Sequence, residues 1–469
     1  MTRDLARPTR SLAIGTRRLV LLALAVALLA APATSRAADR DPRFGINQAW
    51  QAADAADDAG AGWSRVLFWW SEFQKSGPDE FDLFATDQDS YLDEERDRGR
   101  ELVGAVINTP GWASTDGSPN GVPRNLYLPW DHPSNYWGRY MRAMAEHYAG
   151  RIDSWIIWNE VDIQHGQWRT WNGSLEDYAQ LQKVAYRAIK AGNPRATVLP
   201  FGAAWWYDEG ATISRLLDIL QADPESARYG AYLDGMNLHL YSRAGDIPKV
   251  IGWYRAELAR RRLDKPIWVS ETNAIPYDDP VWRVGKQNFR ASLDEQASYV
   301  IQSFATYLAM GAKRIGVNRM IDGTDFEAGG EPFGLIRNDG TARPAFTAFQ
   351  VVTRYFGGTV DAEYTPPDTM GLTRVVLRKP GEIVTVTWNM SGQSADVTVP
   401  ASSPRALRVT KYGQAQLTQA ANNQYRFTLA AATANSNEAN HRDYVIGGNP
   451  LILVERLDGN AQAAYRPIQ

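Results

Sequence analysis

Glu160 and Glu271 each close a short apolar run, Ser154–Glu160 in one case and Ile267–Glu271 in the other. A carboxylate beside a buried strand loses solvation, and its pKa rises unless a cation or a hydrogen-bond donor faces it. For one such residue a structural ion pair is a sufficient account. Two of them, with Asn159 before the first and His239-Leu240-Tyr241 closing a further run, have the makings of a site that cleaves glycosidic bonds. The bridging oxygen is a poor leaving group and needs a proton from a carboxylic acid. The anomeric carbon turns cationic and needs a carboxylate to capture or stabilise it. Arg65 lies at the start of another run, behind Gly62-Trp63-Ser64.

These residues need a scaffold that brings the ends of separate strands together. From about residue 41 to 358 the chain alternates near-continuous apolar runs with amphipathic segments. The runs are Phe44–Trp50, Arg65–Trp70, Leu102–Asn108, Ser154–Glu160, Val198–Ala203, Gly235–Tyr241, Ile267–Glu271 and Arg314–Met320. Continuous apolarity marks strands buried on both faces, and eight of them alternating with helices predict a (β/α)8 TIM barrel, whose functional groups sit at the C-terminal ends of its strands. A doubly wound open sheet is the alternative, but no glycine-rich phosphate loop supports it. After Gly357-Gly358 the runs become shorter and rich in Val, Ile and Thr, separated by turns such as Lys379-Pro380-Gly381. This predicts a small C-terminal antiparallel β-sandwich as an accessory domain over 359–458, with a polar loop around Asn435–His441.

Composition narrows the partners. The 469 residues are 44% hydrophobic and 22% charged, a globular mix that excludes a disordered or collagen-like chain. A net charge of -3 leaves no electrostatic footprint for nucleic acid. Cysteine is absent, which excludes disulfides and thiol chemistry. The five histidines are scattered without a ligand spacing, so no metal or other cofactor is expected. Tryptophan stands out at 17 residues. Trp69, Trp70, Trp112, Trp130, Trp168, Trp171, Trp205, Trp206 and Tyr207 crowd the strand ends and following loops, where they could form a platform for several sugar units. Arg3, Arg7, Arg10, Arg17 and Arg18 precede the apolar run Leu19–Ala31, and Ser35-Arg36-Ala37 follows. This reads as a signal peptide over 1–38, with a loose twin-arginine match, and predicts a secreted or periplasmic protein without stable membrane insertion. An uncleaved anchor is the alternative.

Trp158-Asn159-Glu160, with Tyr148–Trp155 before it, resembles the acid/base strand of clan A glycoside hydrolases, most closely family 39 and its bacterial relatives. Ile267–Glu271 is similar to the nucleophile strand, His239-Leu240-Tyr241 to the clan's His-x-Tyr, and Phe333-Gly334-Leu335 with Arg343–Phe346 to the closing loop and last helix. The resemblance spans about 41 to 358. It implies a retaining hydrolase of β-linked oligo- or polysaccharides, with Glu160 as general acid/base and Glu271 as nucleophile. Asn159 would bind the sugar 2-hydroxyl, Tyr241 and Arg65 would keep Glu271 ionised, and His239 would line the site against substrate or Glu160. A packed structural histidine is the plainer account of His239. Two departures bear on the substrate: Val161-Asp162 replaces the family's Pro-Asn, and Gly316-Val317-Asn318-Arg319-Met320 lacks the Trp that often closes the last strand. A non-catalytic glycan-binding protein on the same scaffold is the competing function.

Overall fold

Eight apolar runs curl into a closed parallel barrel in the computed structural model of the chain, which describes residues 40–81, 88–166, 168–281, 291–323, 332–437 and 442–468. The expected signal peptide lies outside these residues. Among them, no helix is long and apolar enough to cross a membrane.

The barrel strands are β1 (Phe44–Asn47), β2 (Trp63–Trp69), β3 (Glu101–Ile107), β4 (Ile152–Ile157), β5 (Thr197–Pro200), β6 (Ala203–Ala204), β7 (Met236–His239), β8 (Ile267–Thr272) and β9 (Arg314–Val317). Their order is β5-β4-β3-β2-β1-β9-β8-β7-β6. β5 and β6 are two halves of one barrel strand, broken at Phe201-Gly202, one half pairing with β4 and the other with β7. The glycine at the break has a steric reason. A Cβ at Gly202 would lie 2.0 Å from His239 Nε2, so glycine makes room for the imidazole. Trp63, Val103, Ala105, Ile156, Leu199 and Trp268 fill the interior. Trp63 reaches so far across it that a Cβ at Gly45 in β1 or Gly316 in β9 would stand 2.1 or 2.5 Å from its ring. Burial of Val103, Ile156 and Leu199 contributes about 1.5–3 kcal/mol each.

Ten further strands follow: β10 (Asp361–Thr365), β11 (Leu372–Lys379), β12 (Glu382–Asn389), β13 (Ala395–Pro400), β14 (Arg405–Val409), β15 (Ala415–Gln419), β16 (Gln424–Leu429), β17 (Thr433–Asn437), β18 (Arg442–Ile446) and β19 (Leu451–Arg456). A six-stranded antiparallel sheet, β10-β11-β12-β19-β14-β15, is joined by the pairs β13-β16 and β17-β18. Val397, Val399, Tyr425, Leu429 and Leu453 pack together within this β-sandwich. Asn435–Asn437, expected in a loop, belong to β17, and 438–441 lie outside the described residues.

The helix Leu293–Ala309 links the two parts. Its Ser292 and Glu295 form a reciprocal capping box, which satisfies N-terminal donors that would otherwise be orphaned. The residues from Glu295 to Leu308 are all buried, because the barrel covers one side and the sandwich the other. Gln302 Nε2 donates to the carbonyls of Gly447 and Gly448 at 2.8 and 3.1 Å, and Lys411 Nζ donates to Ser298 Oγ at 2.7 Å. Val375, Val386, Ile452 and Val454 of the sandwich belong to the same buried cluster as the barrel helices, so Asp41–Gln469 is one compact unit.

Candidate active site

Glu271 is the penultimate residue of β8. That strand carries an extra residue against both neighbours: Leu238 and His239 oppose Val269 and Glu271 on one side, and Ile315 and Val317 oppose Val269 and Thr272 on the other. Successive side chains of a regular strand point to opposite faces, and a bulge suspends that alternation. Here it turns both Ser270 and Glu271 toward His239, whose Nε2 lies 3.0 Å from Ser270 Oγ and 3.6 Å from Glu271 Oε1. Arg65, in β2, donates from Nη2 to Glu271 Oε1 at 2.5 Å, and the Tyr241 hydroxyl donates to Oε2. Burial pushes the Glu271 carboxyl up, but the charge of Arg65, with His239 and the Tyr241 hydrogen bond, outweighs it and holds the pKa at about 2.

Glu160 is built differently. β4 ends at Ile157, and Glu160 stands on the turn beyond it, half-buried. Trp158 and Glu160 both adopt left-handed backbone, with φ of 72° and 43°. Such geometry in non-glycine residues costs of order 1–3 kcal/mol each and recurs at functional sites. Glu160 Oε1 shares a 2.8 Å hydrogen bond with His239 Nδ1, so the buried imidazole bridges the two carboxylates. One atom each from Glu160, His239 and Glu271 lie within 4.8 Å of one another, a spacing that could also accept a metal ion. Two features oppose a cation there: both imidazole nitrogens are already engaged, and the Arg65 guanidinium touches Glu271.

Asn47, Asn318 and Asp162 are further polar residues of the mouth. Asn318 Nδ2 donates to Tyr241 Oη at 3.0 Å, and Asn47 Nδ2 donates to Ser270 O and Asn318 Oδ1, each at 3.1 Å. They complete the hydrogen bonds behind Tyr241 and the bulge. Asp162 is buried, and burial followed by the nearby Glu160 pushes its carboxyl well above the carboxylate range. The Ala204 N–H acts the other way without making a well-aligned hydrogen bond to either oxygen.

No protein-family model matches the sequence, and no curated protein sequence matches it. Solved structures do. A family 39 glycoside hydrolase from Bacteroides cellulosilyticus is 15% identical with a TM-score of 0.67, over 90% of this chain and 82% of its own. A glucosidase from Croceicoccus marinus is 14% identical with a TM-score of 0.57, over 86% and 91%. A family 30 subfamily 8 xylanase from Clostridium acetobutylicum is 13% identical with a TM-score of 0.57, over 87% and 95%. The fold is that of the clan A glycoside hydrolases.

At the mouth of this barrel the structure brings together Glu160, Glu271, His239, Tyr241 and Arg65. Asn159 precedes Glu160 on the same turn, where its carbonyl accepts from Thr170 Oγ1. Of the aromatic residues expected to form a platform, the structure exposes some and buries others. Trp69 is 47% exposed at the end of β2, and Trp168 and Tyr207 are also exposed. Trp205 corrects the expectation: it is 1% exposed and packs edge-on against Trp253, so it offers no face to a sugar. Trp70 and Trp171 are likewise core residues. Trp206 is half-buried with the Arg243 guanidinium over its ring at 4.4 Å. Trp112 donates from Nε1 to Gln74 O at 2.7 Å and meets Tyr136 edge-on.

Proposed function

We propose that this protein is an exported glycoside hydrolase that cleaves β-glycosidic bonds of an oligo- or polysaccharide with retention of configuration. The observation that carries the reading is the pair Glu160 and Glu271, with an oxygen of each within 4.8 Å across the mouth and Glu271 held ionised. That spacing falls on the side of the roughly 5–5.5 Å carboxyl separation of retaining enzymes, short of the roughly 6.5–9.5 Å that admits a water between the two groups.

In the first step the protonated Glu160 gives its proton to the glycosidic oxygen while Glu271 attacks the anomeric carbon. The aglycone leaves as an alcohol, and the sugar remains as an ester of Glu271. In the second step the Glu160 carboxylate takes a proton from water as that water attacks the same carbon and releases Glu271. Arg65 and Tyr241 keep Glu271 charged and aimed, and Asn159 binds the 2-hydroxyl. The likeness to a glucosidase and a xylanase supports a carbohydrate substrate. The arginine-rich start and apolar run of 1–38 support export.

A 2-fluoro β-glycoside with a good leaving group should slow both steps and let the glycosyl-enzyme accumulate. Peptide mapping should find the label on Glu271, and NMR should show the β-anomer as first product. A label elsewhere, or an α-anomer first, would sink the reading.

A further inference from the structure

We infer that Ser270 is a positioning residue for the acid: by donating to His239 Nε2 it keeps the ring proton on Nδ1, and so directs the proton of Glu160 to Oε2. This rests on the glycosidase reading and adds a residue to its machinery. His239 is buried, and each ring nitrogen faces one oxygen. Nδ1 lies 2.8 Å from Glu160 Oε1, and Nε2 lies 3.0 Å from Ser270 Oγ. The ring fills the gap that Gly202 leaves, where a Cβ would stand 2.0 Å from Nε2. The β8 bulge that aims Glu271 also brings the Ser270 hydroxyl to the imidazole. Glu160 hydrogen-bonds through Oε1, and its Oε2 has no such partner among the described residues. Oε2 is therefore the oxygen that can present a proton to a glycosidic oxygen.

Three proton arrangements fit these distances. In the first, Ser270 donates to Nε2, Nδ1–H donates to Glu160 Oε1, and the acid proton is on Oε2. In the second, Nε2–H donates to Ser270 Oγ, and Glu160 spends its proton on Nδ1. In the third, an imidazolium donates to both oxygens and Glu160 has already lost its proton. The serine separates them. It is 1% exposed, and His239 Nε2 is the one group its hydroxyl meets among the described residues. Only the first arrangement gives that O–H an acceptor, and a buried donor without one is disfavoured. One effect opposes it: Glu271 Oε1, 3.6 Å from Nε2, draws a proton onto that nitrogen. The Glu271 charge is already met by Arg65 and by the Tyr241 hydroxyl, so the serine prevails. Without the serine hydroxyl, Glu271 decides. The ring proton moves to Nε2, and Nδ1 becomes an acceptor that ties up the acid proton. Only the first chemical step suffers. Once Glu271 is esterified it no longer draws the proton, and the ionised Glu160 returns it to Nδ1.

Neutron diffraction on crystals of the perdeuterated full chain reads the proton positions directly. It should show deuterium on His239 Nδ1, none on Nε2, and the Ser270 hydroxyl pointing at Nε2. Kinetics read the consequence. Ser270→Ala should lower kcat/KM by about 5- to 100-fold on β-glycosides with poor leaving groups, the scale of one buried donor left without an acceptor. Activated aryl glycosides should be nearly unaffected, because their aglycone departs without a proton. Ser270→Thr, which keeps the hydroxyl, should recover most of the loss. A merely structural serine would cost both substrate classes alike. Deuterium on Nε2 in the wild-type chain, equal losses on the two classes, or an alanine variant with full activity on poor leaving groups would overturn the role. If Ser270→Ala does not fold, the wild-type proton positions and the threonine variant still decide. Protons placed as expected in a chain that cuts no glycoside would support the arrangement around His239 and remove the glycosidase reading instead.

Discussion

Glu271 and Glu160 face each other, yet their surroundings have little in common. Glu271 lies within a strand, aimed by a bulge, and both its oxygens accept hydrogen bonds. Glu160 stands beyond its strand on left-handed backbone, held by one imidazole. The difference fits the two proposed roles. A nucleophile has to be ionised and aimed each time a sugar arrives, so surrounding it with donors helps. An acid that becomes a base within one cycle changes its proton twice, and a ring of fixed donors would favour one state over the other.

Removing each half of this contrast tests it, and the largest effect should come from Glu271. Glu271→Gln should lower turnover of every substrate by about 10⁴–10⁶-fold, the scale seen when a covalent nucleophile is lost. Added azide should then restore some turnover with an α-configured product, which NMR would detect. Full activity in this variant would end the covalent assignment. Glu160→Ala should cost about 10²–10⁴-fold on substrates with poor leaving groups. It should cost much less on activated aryl glycosides, whose aglycone departs without a proton. Equal losses on both would argue against an acid/base role.

Arg65→Gln sharpens the comparison rather than breaking it. With Glu271 held at about pKa 2, its protonation should not limit wild-type activity above roughly pH 4. Without the Arg65 charge, burial prevails and the carboxyl pKa rises. Activity should then be lost earlier on acidification, with the acidic limb of kcat/KM moving up by about 1–3 pH units. An unmoved limb would show that Arg65 is not what keeps Glu271 charged.

Much of this was legible because buried parallel strands are written as continuous apolar runs. Their ends were less legible, since apolar residues continue past the last ladder hydrogen bond. Reading β1 on to Trp50 and β9 on to Met320 hid Asn47 and Asn318, the residues that stand at those two strand ends. The β8 bulge has no sequence signature, so the joint approach of Ser270 and Glu271 to His239 could not be foreseen. Tryptophan misled for a related reason: an indole in a loop can turn inward, as Trp205 does against Trp253, and composition is blind to that direction. In the sandwich, β10 and β15 are the edges of the six-stranded sheet and too polar to show a clear alternation in the sequence.

The place of β19 has a consequence for the order in which this protein can assemble. The last strand of the chain lies in the middle of the six-stranded sheet, pairing with β12 on one side and β14 on the other. Until Leu451–Arg456 has been synthesised, β10-β11-β12 and β14-β15 are two ribbons with facing open edges, and open edges recruit other chains. Completion is thus set by the chain's final stretch, and folding lags behind synthesis. A chain stopped just before Leu451 should be recovered in the pellet after lysis, although its barrel sequence is intact. Recovery of that chain as a soluble monomer would show that the barrel closes without waiting for its last strand.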